Sequence, residues 1–251
     1  MKEVWQGDCL VEMKNIPDKS VDMILCDLPY GTTACKWDTI IPFEPLWEQY
    51  KRIIKDNGAI VLTASQPFTS ALVMSNPKQF KQSLVWEKTR PTNIFNAKKQ
   101  FTKWHEDILV FYGKPPVFNP QMRTDGQFVG AKVQRENHDR MLGTMGRTGL
   151  KKDYVHQPNG GLFYPKSILK YATEMHTSKH PTQKPVALFE YLIKTYTNEG
   201  DLVLDNCAGS GTTGVACQNL NRNFILIEKE PEYVEIIKQR LSIMQEAVKG
   251  R

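Results

Sequence analysis

The chain has 251 residues, 40% of them hydrophobic and 24% charged, with 16 glycines and 15 prolines spread through ordinary sequence. This excludes collagen-like, low-complexity and wholly disordered chains and suits one domain with room for an insertion. The net charge of +6 is concentrated: residues 114–184 carry twelve Lys/Arg against five Asp/Glu, while the remainder is nearly neutral. No apolar run approaches the roughly 20 residues of a membrane helix, and Met1-Lys-Glu-Val does not open a signal peptide. Five cysteines, odd in number and never in a Cys-x-x-Cys pair, predict free thiols rather than disulfides or a structural metal. A soluble, cytoplasmic protein without metal or membrane partner is expected.

Taken in chain order, apolar runs at residues 3–6, 21–26, 59–64, 83–86, 107–112, 202–204 and 224–227 predict seven strands, mostly parallel and buried on both faces. Between them lie amphipathic helices. Leu46, Tyr50, Ile53 and Ile54 share a face with Gly58 as a stop, and Phe189, Leu192, Ile193 and Tyr196 share another behind Pro185. Pro231 opens a last helix carrying Val234, Ile237, Leu241 and Met244. The pattern predicts a doubly wound α/β sheet. Residues 114–179 break it with Gly, Pro, Asn and cations; a connection that long inside a compact domain is functional or a lobe of its own. The division read from this is residues 1–113, an insertion at 114–179, and residues 180–251. A second basic cluster, Lys81 to Lys103, has six cations against Glu87 alone, and both clusters suit a polyanion or a solvated lysine-rich face.

Two motifs sit at predicted strand ends. Val203-Leu-Asp205-Asn-Cys-Ala-Gly209-Ser-Gly211-Thr212-Thr-Gly214, followed by Phe224-Ile-Leu-Ile-Glu228, reads as a nucleotide-binding βαβ unit: a strand, a glycine turn, a helix from about Thr212, and an acid after the next strand. Asp205 places an anion where a pyrophosphate would sit, which disfavours a dinucleotide and suits a ligand with a cationic amino group. S-adenosylmethionine has such a group, a ribose for Glu228 and no phosphate. The second motif, Val21-Asp-Met-Ile-Leu-Cys-Asp27-Leu28-Pro29-Tyr30-Gly31, ends a buried strand in an acid, a proline turn and an aromatic ring.

Asp27-Leu28-Pro29-Tyr30 resembles the Asp-Pro-Pro-Tyr tetrapeptide of enzymes that methylate exocyclic amino groups of bases. Its order before an irregular basic segment and then Asp205–Gly214 is similar to the β arrangement of the N6-adenine/N4-cytosine DNA methyltransferases. Gly7-Asp8, Trp86-Glu-Lys88, Phe163-Tyr-Pro-Lys-Ser167 and His180-Pro-Thr-Gln-Lys184-Pro185 support the resemblance. It implies a Rossmann-like methyltransferase sheet, S-adenosylmethionine as cofactor, double-stranded DNA as partner, a possible homodimer, and a prokaryotic or phage setting. It also implies that Asp27 and the Leu28 carbonyl accept hydrogen bonds from the target amine, that Pro29 stiffens the turn, and that Tyr30 stacks on a flipped base. For the cofactor it points to Asp8 at the adenine edge, Asp205 at the ammonium, Gly209, Gly211 and Thr212 at the methionine, and Glu228 at the ribose. Lys184 or Thr182 stands either by the methionine carboxylate or in a plain helix cap. Arg90, Asn93 and Lys98 in the 89–103 loop, with Arg123, Arg135 and Arg147 in the insertion, are the candidates for DNA.

Leu28 departs from the family's proline, yet a backbone carbonyl does not depend on side chain. Asp27, where cytosine-N4 enzymes more often carry serine, leans toward adenine N6. A cytosine-C5 enzyme needs a thiol after proline, and the chain has no Pro-Cys pair. Transfer to RNA or to a protein amide would share the motif, but the motif order and basic insert favour duplex DNA. An NAD-dependent dehydrogenase is the alternative from another class, disfavoured by Asp205 and by the late position of the βαβ unit.

Overall fold

The computed structural model describes residues 1–32, 38–124, 162–173 and 183–249. Two compact units emerge, Met1–Asn119 with Lys166–Arg251, and Pro120–Pro165. In the second, the described residues include a bridge that pairs Arg123 with Phe163.

The first unit is an α/β sheet of eight described strands: β1 (Lys2–Gln6), β2 (Val21–Asp27), β3 (Ile54–Ala64), β4 (Phe80–Thr92), β5 (Lys103–Phe111), β6 (Ile168–Tyr171), β7 (Leu202–Asp205) and β8 (Asn223–Glu228). Their order is β1-β8-β7-β2-β3-β5-β4-β6. All neighbours run parallel except β5, which is antiparallel to both β3 and β4. The sequence reading of seven strands missed β6. It has only four residues and buries Leu169 alone, too little for an apolar run to mark it.

Alternation along β2 shows why its sequence is unbrokenly apolar. Met23 and Leu25 enter one core layer and Ile24 and Cys26 the other. Helices α4 (Val186–Tyr196), α5 (Thr212–Asn219) and α6 (Pro231–Lys249) contribute to the first layer. Helices α1 (Cys9–Glu12), α2 (Phe43–Ile53) and α3 (Phe68–Ser75) contribute to the second. Pro185 precedes α4 and Pro231 opens α6, as a residue without a backbone N–H does at little cost. Gly58 is not a helix stop: α2 ends at Ile53 and Gly58 lies inside β3. A Cβ there would meet the Asp22 carbonyl oxygen at 2.8 Å and Ile54 at 2.7 Å, beside a shift in the β2–β3 register. Cys9, Cys26, Cys207 and Cys217 are free thiols, and burial pushes that of Cys26 up to about 12.

No helix among the described residues is long and apolar enough to cross a membrane.

Candidate active site

Parallel strands deliver their last residues to one edge of the sheet, where the order reverses between β7 and β2 and a ligand crevice opens. Read across the sheet, that edge carries Glu228 on β8, Asp205 on β7, Asp27 on β2 and Thr63 on β3. Glu106 follows near the start of antiparallel β5, and Lys88 on β4. All of these but Thr63 line a cleft of about 660 Å³ that also takes in Asp8, Leu28, Pro29, Tyr30, Lys184, Gly209 and Thr212. The volume suits a small-molecule ligand.

The Asp27 carboxylate is nearly saturated. Its Oδ1 accepts hydrogen bonds from the Tyr30 hydroxyl at 2.7 Å and from the Thr63 hydroxyl, and Lys184 Nζ donates to Oδ2 at 2.6 Å. The Tyr30 ring stacks on Phe68 at 5.3 Å, and Lys184 Nζ lies 5.6 Å from the ring centroid. Burial holds the Tyr30 hydroxyl well above its ordinary pKa, so it stays a donor. Leu28 is buried among core residues of the α1–α3 layer, which anchors the turn in place of a second proline.

Sequence reasoning overlooked the ion chain behind Asp27. Lys184 Nζ also lies 3.3 Å from Glu106 Oε2, at an angle that makes no hydrogen bond, while Lys88 Nζ donates to Glu106 Oε1. Burial pushes the Glu106 carboxyl up, but the two ammonium groups outweigh it and hold it below the usual range. Burial pushes Lys184 down, but Asp27 and Glu106 outweigh it and hold the ammonium protonated. The signal for Lys88 was present: Leu84, Trp86 and Lys88 alternate onto one buried face of β4. A lysine continuing a core stripe has to meet an acid. Glu106 carried no such mark. Lys184 thus spends its charge on these two carboxylates, whereas Thr182 and the rest of His180-Pro-Thr lie outside the described residues.

Asp205 is buried, and this pushes its carboxyl up to about 7 although the Thr213 hydroxyl and Cys207 N–H donate to it. Glu228 accepts from Gly209 N at 2.7 Å and from Glu230 N at 2.9 Å, and burial raises its pKa as well. Two desolvated acids on adjacent strands form a pocket suited to a cation and to hydroxyl donors. Asp8 caps α1, accepting from Leu10 N at 2.9 Å.

Gly211 does not face the cleft. It turns the chain at φ +80° into α5, which begins at Thr212, and a Cβ would strike Ile237 at 2.9 Å. Gly214 is likewise closed by Leu226 at 2.6 Å. The glycine run therefore packs loop and helix against β8 and α6, and Gly209, Ser210 and Thr212 are its members that line the cleft. Arg240 of α6 pins the turn by donating to the Ser210 carbonyl at 2.6 Å.

Of the DNA candidates, Arg90 lines the cleft, Asn93 starts the β4–β5 loop in the left-handed conformation, and Lys98 is exposed. Arg123 donates to the Tyr164 carbonyl at 3.0 Å within the second unit. Arg135 and Arg147 lie outside the described residues. Trp86 and Phe111 are core residues, while Trp104 is half exposed.

A family model described as DNA methylase matches residues 21–239. The chain is 32% identical to the DNA adenine methyltransferase YhdJ of Escherichia coli K12, over 96% of this chain and 83% of that protein. It is 28% identical to the type II methyltransferase M2.MboI of Moraxella bovis, over 94% and 86%. Among solved structures, the M1.HpyAVI–SAM complex superposes with a TM-score of 0.63 at 27% identity, covering 96% of this chain and all of that one. The cytosine-N4-specific PvuII DNA methyltransferase superposes at 0.65 with 15% identity, over 94% and 85%, a likeness of fold. With most of its length matched and its strand-end acids in this arrangement, the chain belongs to the N6/N4 DNA methylase family.

Proposed function

We propose that the protein transfers a methyl group from S-adenosylmethionine to adenine N6 within a short sequence of double-stranded DNA, acting in the cytoplasm. The observation that carries this reading is the pair of neighbouring strand ends, Asp27 on β2 and Asp205 on β7, opening on one cleft. One acid is dressed to receive a hydrogen-bond donor, and the other is desolvated and has no ion-pair partner among the described residues.

The cofactor, when bound, supplies a methyl group activated by a sulfonium. Asp205 would hold its ammonium, Glu228 its ribose hydroxyls, and Asp8 its adenine edge; Gly209 and Thr212 would border the methionine. The base amine is a weak nucleophile, so the protein's task is to position it. With Oδ1 occupied by two hydroxyls, Asp27 has lone-pair capacity left on Oδ2 for one amine N–H, and the Leu28 carbonyl would take the other. The Lys184 hydrogen bond to Oδ2 fixes the orientation of the Asp27 carboxylate, whose oxygens accept. The amine's excess proton would leave to solvent past the exposed side of Asp27, whose side chain is 25% accessible. Tyr30, its plane fixed by Phe68, would stack on the flipped base. Residues 114–179 would read sequence, with Arg123, Arg135 and Arg147 on the duplex alongside Arg90, Asn93 and Lys98.

Adenine is favoured by Asp27 itself and by the likeness to an adenine methyltransferase. Incubation with methyl-labelled cofactor and mixed-sequence DNA, followed by nucleoside analysis, should yield N6-methyladenine. Label in N4-methylcytosine would overturn the choice of base, and absence of label from DNA would overturn the reading.

A further inference from the structure

The β4–β5 loop spends apolar surface in an unusual place. It springs from the paired residues Thr92 and Lys103, both of which line the catalytic cleft, and Lys103 Nζ donates to Ser65 Oγ within that cleft. Beyond this pair, residues 93–102 project Phe95 and Phe101 fully into solvent, with Ile94 also largely exposed. The loop is a built knuckle. Asn93 turns it in the left-handed region, and Asn96 Nδ2 donates to Asn93 Oδ1 at 2.7 Å. Ala97 N donates to Ile94 O at 3.0 Å and Lys99 N to Asn96 O at 2.8 Å. Lys98 and Lys99 are exposed on it, Arg90 is exposed at its base, and residues 88–103 contain no acid.

Two outward aromatics among cations, at the mouth of a cleft that receives a base, match a duplex with a gap in its stack. Apolar side chains entering a base step, with cations on the flanking phosphates, lower the cost of unstacking. We infer that the 93–102 loop is a wedge: Phe95 and Phe101 fill the space left by the extruded nucleotide, and Lys98 and Lys99 hold the adjoining phosphates. The inference rests on methylation of a flipped base and adds how the flipped state is held.

The test uses the full chain, Phe95→Ala, Phe101→Ala and the double variant. The probes are two duplexes bearing the sequence that the wild type methylates, one with the target base paired and one with it opposite an abasic site. Single-turnover methylation by the double variant should fall about tenfold or more on the paired duplex and stay within about twofold of wild type on the abasic one, where extrusion is nearly free. Cofactor affinity and Tm should not move, since both rings lie outside the core. Equal loss on both duplexes, or loss on neither, would overturn the wedge. So would lost binding to phosphatidylglycerol–phosphatidylcholine vesicles with methylation intact, which would assign the patch to a lipid surface. A wild type that methylates no DNA would instead overturn the methyltransferase reading beneath it.

Discussion

Asp205 occupies a buried site that opposes its own charge. Its folded pKa of about 7 lies above the unfolded value of 3.8, so the folded state binds the proton more tightly and stability falls as pH rises from about 4 to about 7. At about 1.4 kcal/mol per pH unit the penalty is on the order of 4 kcal/mol above pH 7. Asp205→Asn should therefore raise the urea midpoint at pH 8, raise it less at pH 5, and weaken cofactor binding; an unchanged midpoint at pH 8 would deny the penalty. Asp27→Ala should abolish transfer while cofactor affinity, measured by calorimetry, stays near wild type; equal loss of both would misplace the residue. Leu28 is 3% exposed, so Leu28→Ala should cost about 2–4 kcal/mol of stability. It should nonetheless methylate at near wild-type rate, because the carbonyl remains. A collapse in rate without loss of stability would give the side chain a direct role.

At the level of elements, the turn into α5 depends on Gly211. Gly211→Ala places a side chain at positive φ, a cost of about 1–2 kcal/mol, and drives it into Ile237, so Tm should drop by several degrees. Ile237→Ala in the same background should recover the steric part, and additive losses in thermal unfolding would show that the contact is irrelevant. The same turn shows what a sequence can disclose. Asp27 and Asp205 were legible because each closes an apolar run, and local punctuation marks a strand end wherever the strand lies in the sheet. The helices behind Pro185 and Pro231 were legible for the same reason. The Lys184–Asp27 and Lys184–Glu106 pairs were not, since they join β2, β5 and the approach to α4 across 157 and 78 residues. Nor was the packing duty of Gly211, because a glycine written for a turn looks the same whether it faces a ligand or isoleucine.

For the whole molecule, the near-neutral remainder and the basic 114–184 segment set how it meets a polyanion. DNA affinity should fall steeply with salt, and Lys98→Ala and Lys99→Ala should each reduce the log–log slope by about one. A flat dependence over a potassium chloride series would return these lysines to an ordinary solvated surface. Strand order has a further consequence, in time rather than space. β1 pairs residue for residue with β8, Lys2 opposite Phe224 and Gln6 opposite Glu228, and Gly7 N donates to the Glu228 carbonyl at 3.0 Å. The strand that leads to Asp8 is thus made well before the neighbour it pairs with. On the ribosome it must wait for β8 to emerge, so a nascent chain already carrying Asp27 and Tyr30 should lack the pocket proposed for the cofactor; ribosome-bound chains stalled before residue 223 should bind no S-adenosylmethionine.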